Sequence, residues 1–185
     1  MRQAFNTRRF QWKVLPAIIA CMVISCGKNK TETKDSPLLQ QDPIANPYYS
    51  RSDTTILSLS DSEWKAVLSD SLYLVARNKV TERAFKGKYW NFNGVGTYYC
   101  AACGNRLFRS DSKFASECGW PTFFEPSRTN SVKYIEDRSH GMVRTEVLCG
   151  RCGGHLGHLF KDGPPPSFNR YCMNSIVLDF VPELN

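Results

Sequence analysis

The feature that most constrains this fold is a pair of Cys-x-x-Cys motifs, each followed by glycine. The motifs are Cys100-Ala-Ala-Cys103 and Cys149-Gly-Arg-Cys152. In a tight turn both thiolates of such a motif can point at one ion, and four thiolates at about 2.3 Å form a closed tetrahedral zinc site. Because a closed site has no open position for a reactant, the pattern predicts a structural zinc ion.

The spacing of the two motifs leaves alternatives open. The 45 residues between them exceed the usual zinc-ribbon interval of about 15–20 residues, so a metal would connect remote strands rather than define a small finger. In an exported protein both pairs could instead be disulfides. A redox-active pair of the thioredoxin type is disfavoured because neither motif lies in an alternation of strands and helices.

Short β-prone runs fill the chain from residue 95 onward. Clusters of Gly, Pro, Asn and Asp separate the runs, which cover 97–99, 107–108, 131–135, 142–148, 155–160 and 171–180. No helical pattern of ten residues intervenes, which argues against βαβ units and a parallel sheet. The sequence therefore predicts a mainly β domain with antiparallel strands.

Two serines ahead of these runs predict short helices. Ser60 and Glu63 have the spacing of a capping box, and Trp64 begins an apolar pattern with helical spacing. Ser69 repeats the start signal, so two small helices or one broken helix should run to about Asn78. With 42% hydrophobic and 12% aromatic residues the chain can bury a core, which makes the disordered and disulfide-miniprotein classes improbable.

The first 25 residues have the form of a signal peptide. Residues 1–13 carry four basic and no acidic side chains, and residues 14–25 are almost wholly apolar. Twelve apolar residues rise only about 18 Å as a helix, too short for a hydrocarbon core of about 30 Å. The run from Val23 to Cys26 resembles a bacterial lipobox, which predicts lipidation of Cys26. Cys21 is the alternative position, and a plain secretory peptide is the alternative interpretation.

Cleavage after residue 25 would remove four positive charges and lower the formal charge from +7 to +3. No basic stripe interleaved with aromatic residues then remains, so nucleic-acid binding is not expected. Residues 26–58 are polar and contain Pro43 and Pro47, which predicts a flexible tether. We expect a monomer in a bacterial cell envelope, lipid-anchored and facing the periplasm or the cell exterior, with a domain over residues 59–181 and a tail over 182–185.

The two remaining cysteines, Cys118 and Cys172, lie in different settings. Cys118 lies in the loop Ser-Glu-Cys-Gly-Trp-Pro-Thr, which should be exposed and able to move, and Cys172 lies at the head of an apolar strand. A mobile cysteine facing a fixed one suggests a redox cycle. By spacing alone, a static disulfide is the more economical interpretation.

The histidines of the run Gly-Gly-His155-Leu-Gly-His158 are candidates for an acid–base role. In an extended strand an offset of three places them on opposite faces, so only one would face a given pocket. A lone histidine is more often a structural hydrogen-bonding residue than a catalyst. Two cysteines, a histidine and a tryptophan loop together favour a catalytic site.

Taken in order, the segments GTYYCAACGNRLF, SECGWPTFF, CGRCGGHLGHLFKDGPPP and RYCMNS resemble the B-type methionine sulfoxide reductases over about residues 59–181. The resemblance implies a peptide-methionine (R)-S-oxide reductase, which reduces the R epimer of methionine sulfoxide. It also implies two antiparallel sheets packed as a barrel-like sandwich, short N-terminal helices, and a structural zinc ion held by Cys100, Cys103, Cys149 and Cys152.

The resemblance also implies roles for individual residues. Cys172 corresponds to the attacking cysteine, Cys118 to the resolving cysteine, and Trp120 to the tryptophan that helps hold the substrate's S-methyl group. The resemblance further implies catalytic roles for His158 and Asn174, and we expect substrate contacts from His155, Asp162 and Arg170. Two positions depart from the family's usual loop, Glu117 for glycine and Thr122 for serine, and Glu adopts a positive φ less readily than Gly.

The expected chemistry begins with a Cys172 thiolate, favoured by Arg170 and a protonated His158. Sulfoxide reduction would leave a Cys172 sulfenic acid, which Cys118 would convert into a disulfide. A thioredoxin-like reductant would reduce that disulfide by exchange, and in an oxidising compartment it would be a dedicated one. The substrates would be oxidised envelope proteins or free methionine sulfoxide.

Two rival hypotheses remain at this point. One is a non-catalytic, zinc-clipped binding module on the same scaffold. The other is a structural lipoprotein whose Cys118–Cys172 bridge is permanent.

Overall fold

The computed structural model describes residues 46–184. The predicted signal peptide and the lipidation candidates Cys21 and Cys26 lie outside these residues. Two α-helices and nine strands follow in chain order: α1 Asp61–Val67, α2 Asp70–Ala76, β1 Gly96–Cys100, β2 Arg106–Arg109, β3 Lys113–Phe114, β4 Thr122–Phe123, β5 Val132–Asp137, β6 Arg144–Cys149, β7 His155–Phe160, β8 Arg170–Met173 and β9 Leu178–Pro182.

The strands form two antiparallel sheets. A three-stranded sheet has the order β2-β1-β9, and a six-stranded sheet has the order β3-β4-β8-β7-β6-β5. The inner faces of the two sheets meet at aromatic contacts, where the rings of Phe108 and Phe123 stack with centroids 4.4 Å apart. The predicted mainly β fold with two antiparallel sheets is confirmed.

Both predicted helices form where their start signals lie. The Ser60 hydroxyl accepts from the Glu63 backbone N–H, and the Glu63 carboxylate accepts from the Ser60 N–H, which completes the capping box. Ser69 caps α2 in the same way at Leu72. Each helix has seven residues, and no helix within 46–184 is long and apolar enough to cross a bilayer.

The single run expected over 171–180 is two strands in different sheets. A 3-10 turn over Ser175–Val177 separates β8, in the six-stranded sheet, from β9, in the three-stranded sheet. The buried Asn174 precedes this turn and bonds through its side-chain amide to the Leu156 carbonyl at 3.0 Å. Local composition is equally apolar on both sides of the turn, so the change of sheet is not visible in the run.

Residues 46–58, assigned to the flexible tether in the sequence analysis, lie against the domain. The buried Arg151 side chain donates to the carbonyls of Tyr48 and Thr55 and to the Asp53 carboxylate. The Leu57 N–H donates to the Arg151 carbonyl at 3.0 Å. The boundary at residue 58 is therefore too late, because a side chain remote in sequence holds this segment in place.

Candidate active site and zinc centre

The four cysteines of the Cys-x-x-Cys motifs come together between the sheets. Cys100 ends β1 and Cys149 ends β6, while Cys103 and Cys152 lie in the turns that follow. The sulfur of Cys100 is 3.8 Å from that of Cys152, the sulfur of Cys103 is 3.6 Å from that of Cys149, and all four lie within 4.8 Å of one another.

This spacing fits zinc. A tetrahedron with Zn–S bonds of about 2.3 Å has S···S edges of about 3.8 Å. All four cysteines are buried and free, so the disulfide alternative is not adopted. The predicted structural zinc centre is confirmed in its ligand set, and it ties one sheet to the other.

The other two described cysteines form a separate pair. Cys172 lies in β8, whose neighbours in the sheet are β4 and β7, and it is paired across the ladders with Thr122 and His158. The sulfur of Cys118, in the loop before β4, lies 3.4 Å from the sulfur of Cys172. Because a disulfide has an S–S distance of about 2.05 Å, closure needs a movement of little more than 1 Å.

The loop that carries Cys118 is held at both ends of its tip. Gly119 has φ +88°, and its carbonyl accepts from the Phe85 N–H at 2.8 Å. The indole N–H of Trp120 donates to the Glu82 carbonyl at 3.2 Å. Glu117 is exposed and is not among the residues with positive φ, so its replacement of the usual glycine leaves the backbone unstrained.

Glu82, whose carbonyl accepts from Trp120 in this loop, is hydrogen-bonded to Asn174 and to the residues that follow β8. The side-chain oxygen of Asn174 accepts from the Glu82 N–H at 2.9 Å, and the Glu82 carboxylate accepts from the N–H groups of Ser175 and Ile176. Each of the two side chains thus accepts hydrogen bonds from the backbone at or next to the other residue. The sequence analysis identified Asn174 but missed Glu82.

A cleft of about 120 Å³ opens beside the cysteine pair. Cys172 and His158 line it together with Trp120, Asn174, Phe160 and Arg144. Cys118 does not line it. The cleft therefore presents one of the two sulfurs, a histidine and two aromatic rings to a ligand.

The prediction that His155 and His158 point to opposite faces is wrong. The ladder between β6 and β7 pairs Val147 with Gly157 and Leu148 with His155, so Leu156 is an extra residue in β7. Such a bulge shifts the side-chain alternation by one residue. As a result the two imidazole rings lie together, with centroids 5.5 Å apart.

The two histidines have different partners. His158 Nε2 lies 2.8 Å from the Asp137 carboxylate, which Arg144 also contacts at 2.6 Å. His155 is buried, and its Nδ1 lies 2.7 Å from the buried Glu146 carboxylate. Burial lowers the pKa of His155 although the bond to Glu146 opposes this, so the ring is neutral at neutral pH.

His155 and Asp162, for which the sequence predicts a substrate contact, are not among the residues that line the cleft. His155 is buried, and its Nδ1 bonds to the Glu146 carboxylate. Asp162 is largely exposed and accepts two hydrogen bonds of 2.8 Å from the Arg170 guanidinium. That guanidinium also lies 4.4 Å from the centre of the Phe160 ring, so Arg170 packs against a residue that lines the cleft without lining it itself.

The charge distribution on the cysteine pair differs from the expectation. The hydrogen bond from Cys172, with a further one from Ser116, lowers the pKa of Cys118 to about 5. Donation to Cys118 and burial raise the pKa of Cys172, and the nearby Arg170 only partly offsets this. With the sulfurs in contact, the thiolate is therefore on Cys118 rather than on Cys172, because two adjacent sulfurs share one proton.

The chain is similar to known proteins over residues that include both cysteine clusters. Residues 68–182 match the SelR domain. The chain is 52% identical to "Peptide methionine sulfoxide reductase MsrB" of Thiobacillus denitrificans over 124 residues, which are 67% of this chain and 94% of the relative. It is 50% identical to the protein of the same name from Agrobacterium fabrum over 123 residues, 66% of this chain and 91% of the relative.

Proposed function

Since this chain belongs to the SelR-domain family, as its similarity to the MsrB reductases shows, we propose that it reduces the R epimer of methionine sulfoxide to methionine. The observation that carries the proposal is the pair of free sulfurs 3.4 Å apart, of which only Cys172 faces the cleft. That arrangement assigns attack on the substrate to Cys172 and resolution to Cys118.

The first step uses both sulfurs. Cys118, as thiolate, takes the proton of Cys172 along the existing hydrogen bond. The Cys172 thiolate then attacks the sulfoxide sulfur, and His158, which also lines the cleft, delivers a proton to the oxygen as a general acid. The hydroxyl then passes to the Cys172 sulfur while the new S–S bond and the S–O bond of the substrate both break. Methionine is released, and Cys172 is left as a sulfenic acid.

The second step closes the pair. The Cys118 sulfur attacks the Cys172 sulfenic acid, the S–S bond forms, and the oxygen leaves as water after taking a proton. An external dithiol then reduces the disulfide by exchange and is itself oxidised. The overall balance is one sulfoxide and one dithiol converted to one thioether, one disulfide and one water.

The cleft walls favour a methylthio group. Trp120 and Phe160 line the cleft together with the reactive sulfur, and aromatic rings interact favourably with polarisable methylthio groups. Asn174, whose side-chain amide donates to the Leu156 carbonyl, also lines the cleft. Arg170 acts from outside the cleft, as a cation that favours the anionic sulfur in both steps.

The zinc ion, when bound by Cys100, Cys103, Cys149 and Cys152, supplies a closed cross-link between the sheets and takes no part in the reaction. A binding module without catalysis is not favoured, because nothing in ligand binding alone calls for two free cysteines in contact at a cleft.

The cellular setting is also a proposal. Lipidation of Cys26 would hold the domain at a bacterial envelope as a monomer, where it would repair oxidised envelope proteins with electrons from a thioredoxin-like partner. Labelling with a radioactive fatty acid tests this: incorporation should be lost in Cys26→Ala and retained in Cys21→Ala. Equal incorporation in both variants and the wild type would contradict lipidation at Cys26.

The reaction is tested with resolved R and S sulfoxides of a blocked methionine and dithiothreitol as reductant. The purified protein should reduce only the R epimer, and Cys172→Ser should abolish activity. Cys118→Ser, the matched control, should still form about one methionine per protein molecule when no reductant is added. Reduction of the S epimer alone, or full activity of Cys172→Ser, would overturn the assignment.

A further inference from the structure

Asp137, the last residue of β5, has a place in the site that the sequence analysis did not anticipate. It is paired across the ladder with Arg144, and its Oδ2 contacts both His158 Nε2, at 2.8 Å, and the Arg144 guanidinium, at 2.6 Å. Its Oδ1 accepts from the Ser139 backbone N–H at 2.9 Å, in the turn that joins β5 to β6. Both oxygens are therefore engaged, and the carboxylate has a defined orientation.

The bonds from Ser139, together with that from His158, hold the pKa of Asp137 well below its ordinary value. The carboxylate is thus ionised throughout the working pH range. An ionised carboxylate accepts hydrogen bonds and cannot donate them, so the proton between it and His158 belongs to Nε2. Among the residues that the structure describes, none bonds to the other ring nitrogen of His158, Nδ1.

We propose that Asp137 is the positioning residue that fixes His158 as the Nε2–H tautomer and leaves Nδ1 as the nitrogen that exchanges a proton with the substrate oxygen. The inference rests on the proposed function for the identity of that oxygen, but the tautomer itself does not depend on it. In the acid form both nitrogens carry protons. Nδ1–H protonates the oxygen of the attacked sulfoxide, and the neutral ring that remains keeps Nε2–H on Asp137.

Arg144 completes the arrangement. Its guanidinium lines the cleft and shares the Asp137 oxygen with His158. A lone carboxylate would strongly stabilise the protonated imidazole and so oppose transfer of its proton, whereas a second cation on the same oxygen weakens that stabilisation. We therefore assign to Arg144 the role of weakening the stabilisation that Asp137 gives to the protonated His158 ring.

Other charged or titratable groups around His158 are already engaged with partners of their own. Glu146, its neighbour on β6, bonds to His155 and to Lys79, and on β8 Arg170 is paired with Asp162 while Cys172 bonds to Cys118. The neutral His155 ring lies 5.5 Å away. Asp137 is thus the carboxylate that directly contacts the His158 ring.

The test begins with the wild-type protein and needs no variant. Long-range ¹H–¹⁵N spectra of the reduced, ¹⁵N-histidine-labelled full chain, assigned with His158→Asn, report the tautomer at a pH where the ring is neutral. We expect the Nε2–H pattern for His158. An Nδ1–H pattern, or an even mixture of the two, would overturn the proposal whether or not the protein reduces the sulfoxide.

Variants then test the consequence for catalysis. In Asp137→Asn we expect kcat/KM for the R sulfoxide to fall about 100-fold, with most of the loss in kcat. The alkaline limb of its pH profile should move to lower pH by about one unit. Asp137→Glu should restore part of the rate, and the exposed neighbour Glu136→Gln should match the wild type.

A pH profile of Asp137→Asn that superimposes on the wild-type profile after scaling would also overturn the proposal, since a merely structural loss leaves the profile in place. If the wild type shows the Nε2–H pattern but reduces neither epimer, the proposed function fails while the positioning of His158 stands.

Discussion

Six of this protein's cysteines form two clusters with nearly equal sulfur separations and different chemistry. In the zinc centre the closest sulfurs lie 3.6 and 3.8 Å apart, and in the reactive pair they lie 3.4 Å apart. The zinc ligands are all buried, two as the last residues of strands and two in the turns that follow, whereas both sulfurs of the pair belong to partly exposed residues and one lies on a loop. The four buried sulfurs form a structural metal site, and the two accessible sulfurs form a reactive thiol pair. The number of sulfurs and their exposure therefore decide the role of each cluster.

The largest expected effect comes from removing a zinc ligand. Cys149→Ser should lose bound zinc and fail to fold stably, because binding to a four-thiolate site contributes on the order of 10 kcal/mol to the folded state. Metal analysis and thermal unfolding of the purified protein measure both effects.

Cys118→Ser is the matched control, since it removes a cysteine from the other cluster. It should keep one zinc ion per chain and a melting temperature close to that of the wild type. A Cys149→Ser protein that melts like the control would remove the distinction between the two clusters.

The second prediction concerns thiol reactivity. With iodoacetamide at neutral pH, Cys118 should be alkylated at least about 100-fold faster than the zinc ligands, which are buried and metal-bound. Because its pKa is lowered to about 5, the thiolate persists above that pH, and the rate should fall only as the pH drops through about 5. Mass spectrometry of quenched samples locates the label.

In Cys118→Ser the label should move to Cys172. As the pH is lowered, its alkylation rate should begin to fall at a higher pH than the wild-type rate does, because the low-pKa thiol of Cys118 is gone and burial raises the pKa of Cys172. If the wild-type rate instead declined near pH 8.5, the ordinary value for a free thiol, the shared proton in the pair would be contradicted.

The smallest of the three effects tests how the second Cys-x-x-Cys motif holds residues 46–58, the segment before α1. Arg151, between two zinc ligands, bonds to the carbonyls of Tyr48, Thr55 and Cys103. Arg151→Met keeps much of the side-chain volume but leaves these acceptors without a donor, so the free energy of unfolding should fall by about 2 kcal/mol. Urea unfolding of the zinc-loaded protein measures it.

The same variant should be cleaved by protease within residues 46–58 faster than the wild type. Arg138→Met, in which an exposed arginine is replaced, should change neither property. Equal stability of both variants would show that the segment before α1 is held by other contacts.

Much of the fold could be predicted from local signals. Ser60 and Glu63 bond to backbone groups within one turn, so the capping box is readable without tertiary information. The zinc ligands are recognisable in the sequence because each motif brings two sulfurs together within four residues. The end of the tether could not be predicted, because residues 46–58 are held by Arg151, about 100 residues away in the chain.

The site was predictable to the extent that its residues lie in distinctive runs. Cys118, Cys172, Trp120 and His158 do, and the structure brings them to one cleft. Asp137, Arg144 and Glu82 do not, because their importance depends on strand register and on a carbonyl contact between remote segments. His155 and His158 lie on the same face because β7 contains one extra residue, a bulge that the simple alternation of side chains along a strand does not predict.

The sequence by itself determined which atoms can do chemistry here: four thiolates spaced for a metal, two more cysteines, and an acid–base histidine. The tertiary structure decided their pairing, their protonation and their access to the cleft. The physical reason is that residue type and close spacing act over a few bonds, whereas proton sharing, burial and register depend on neighbours brought together by the folded chain.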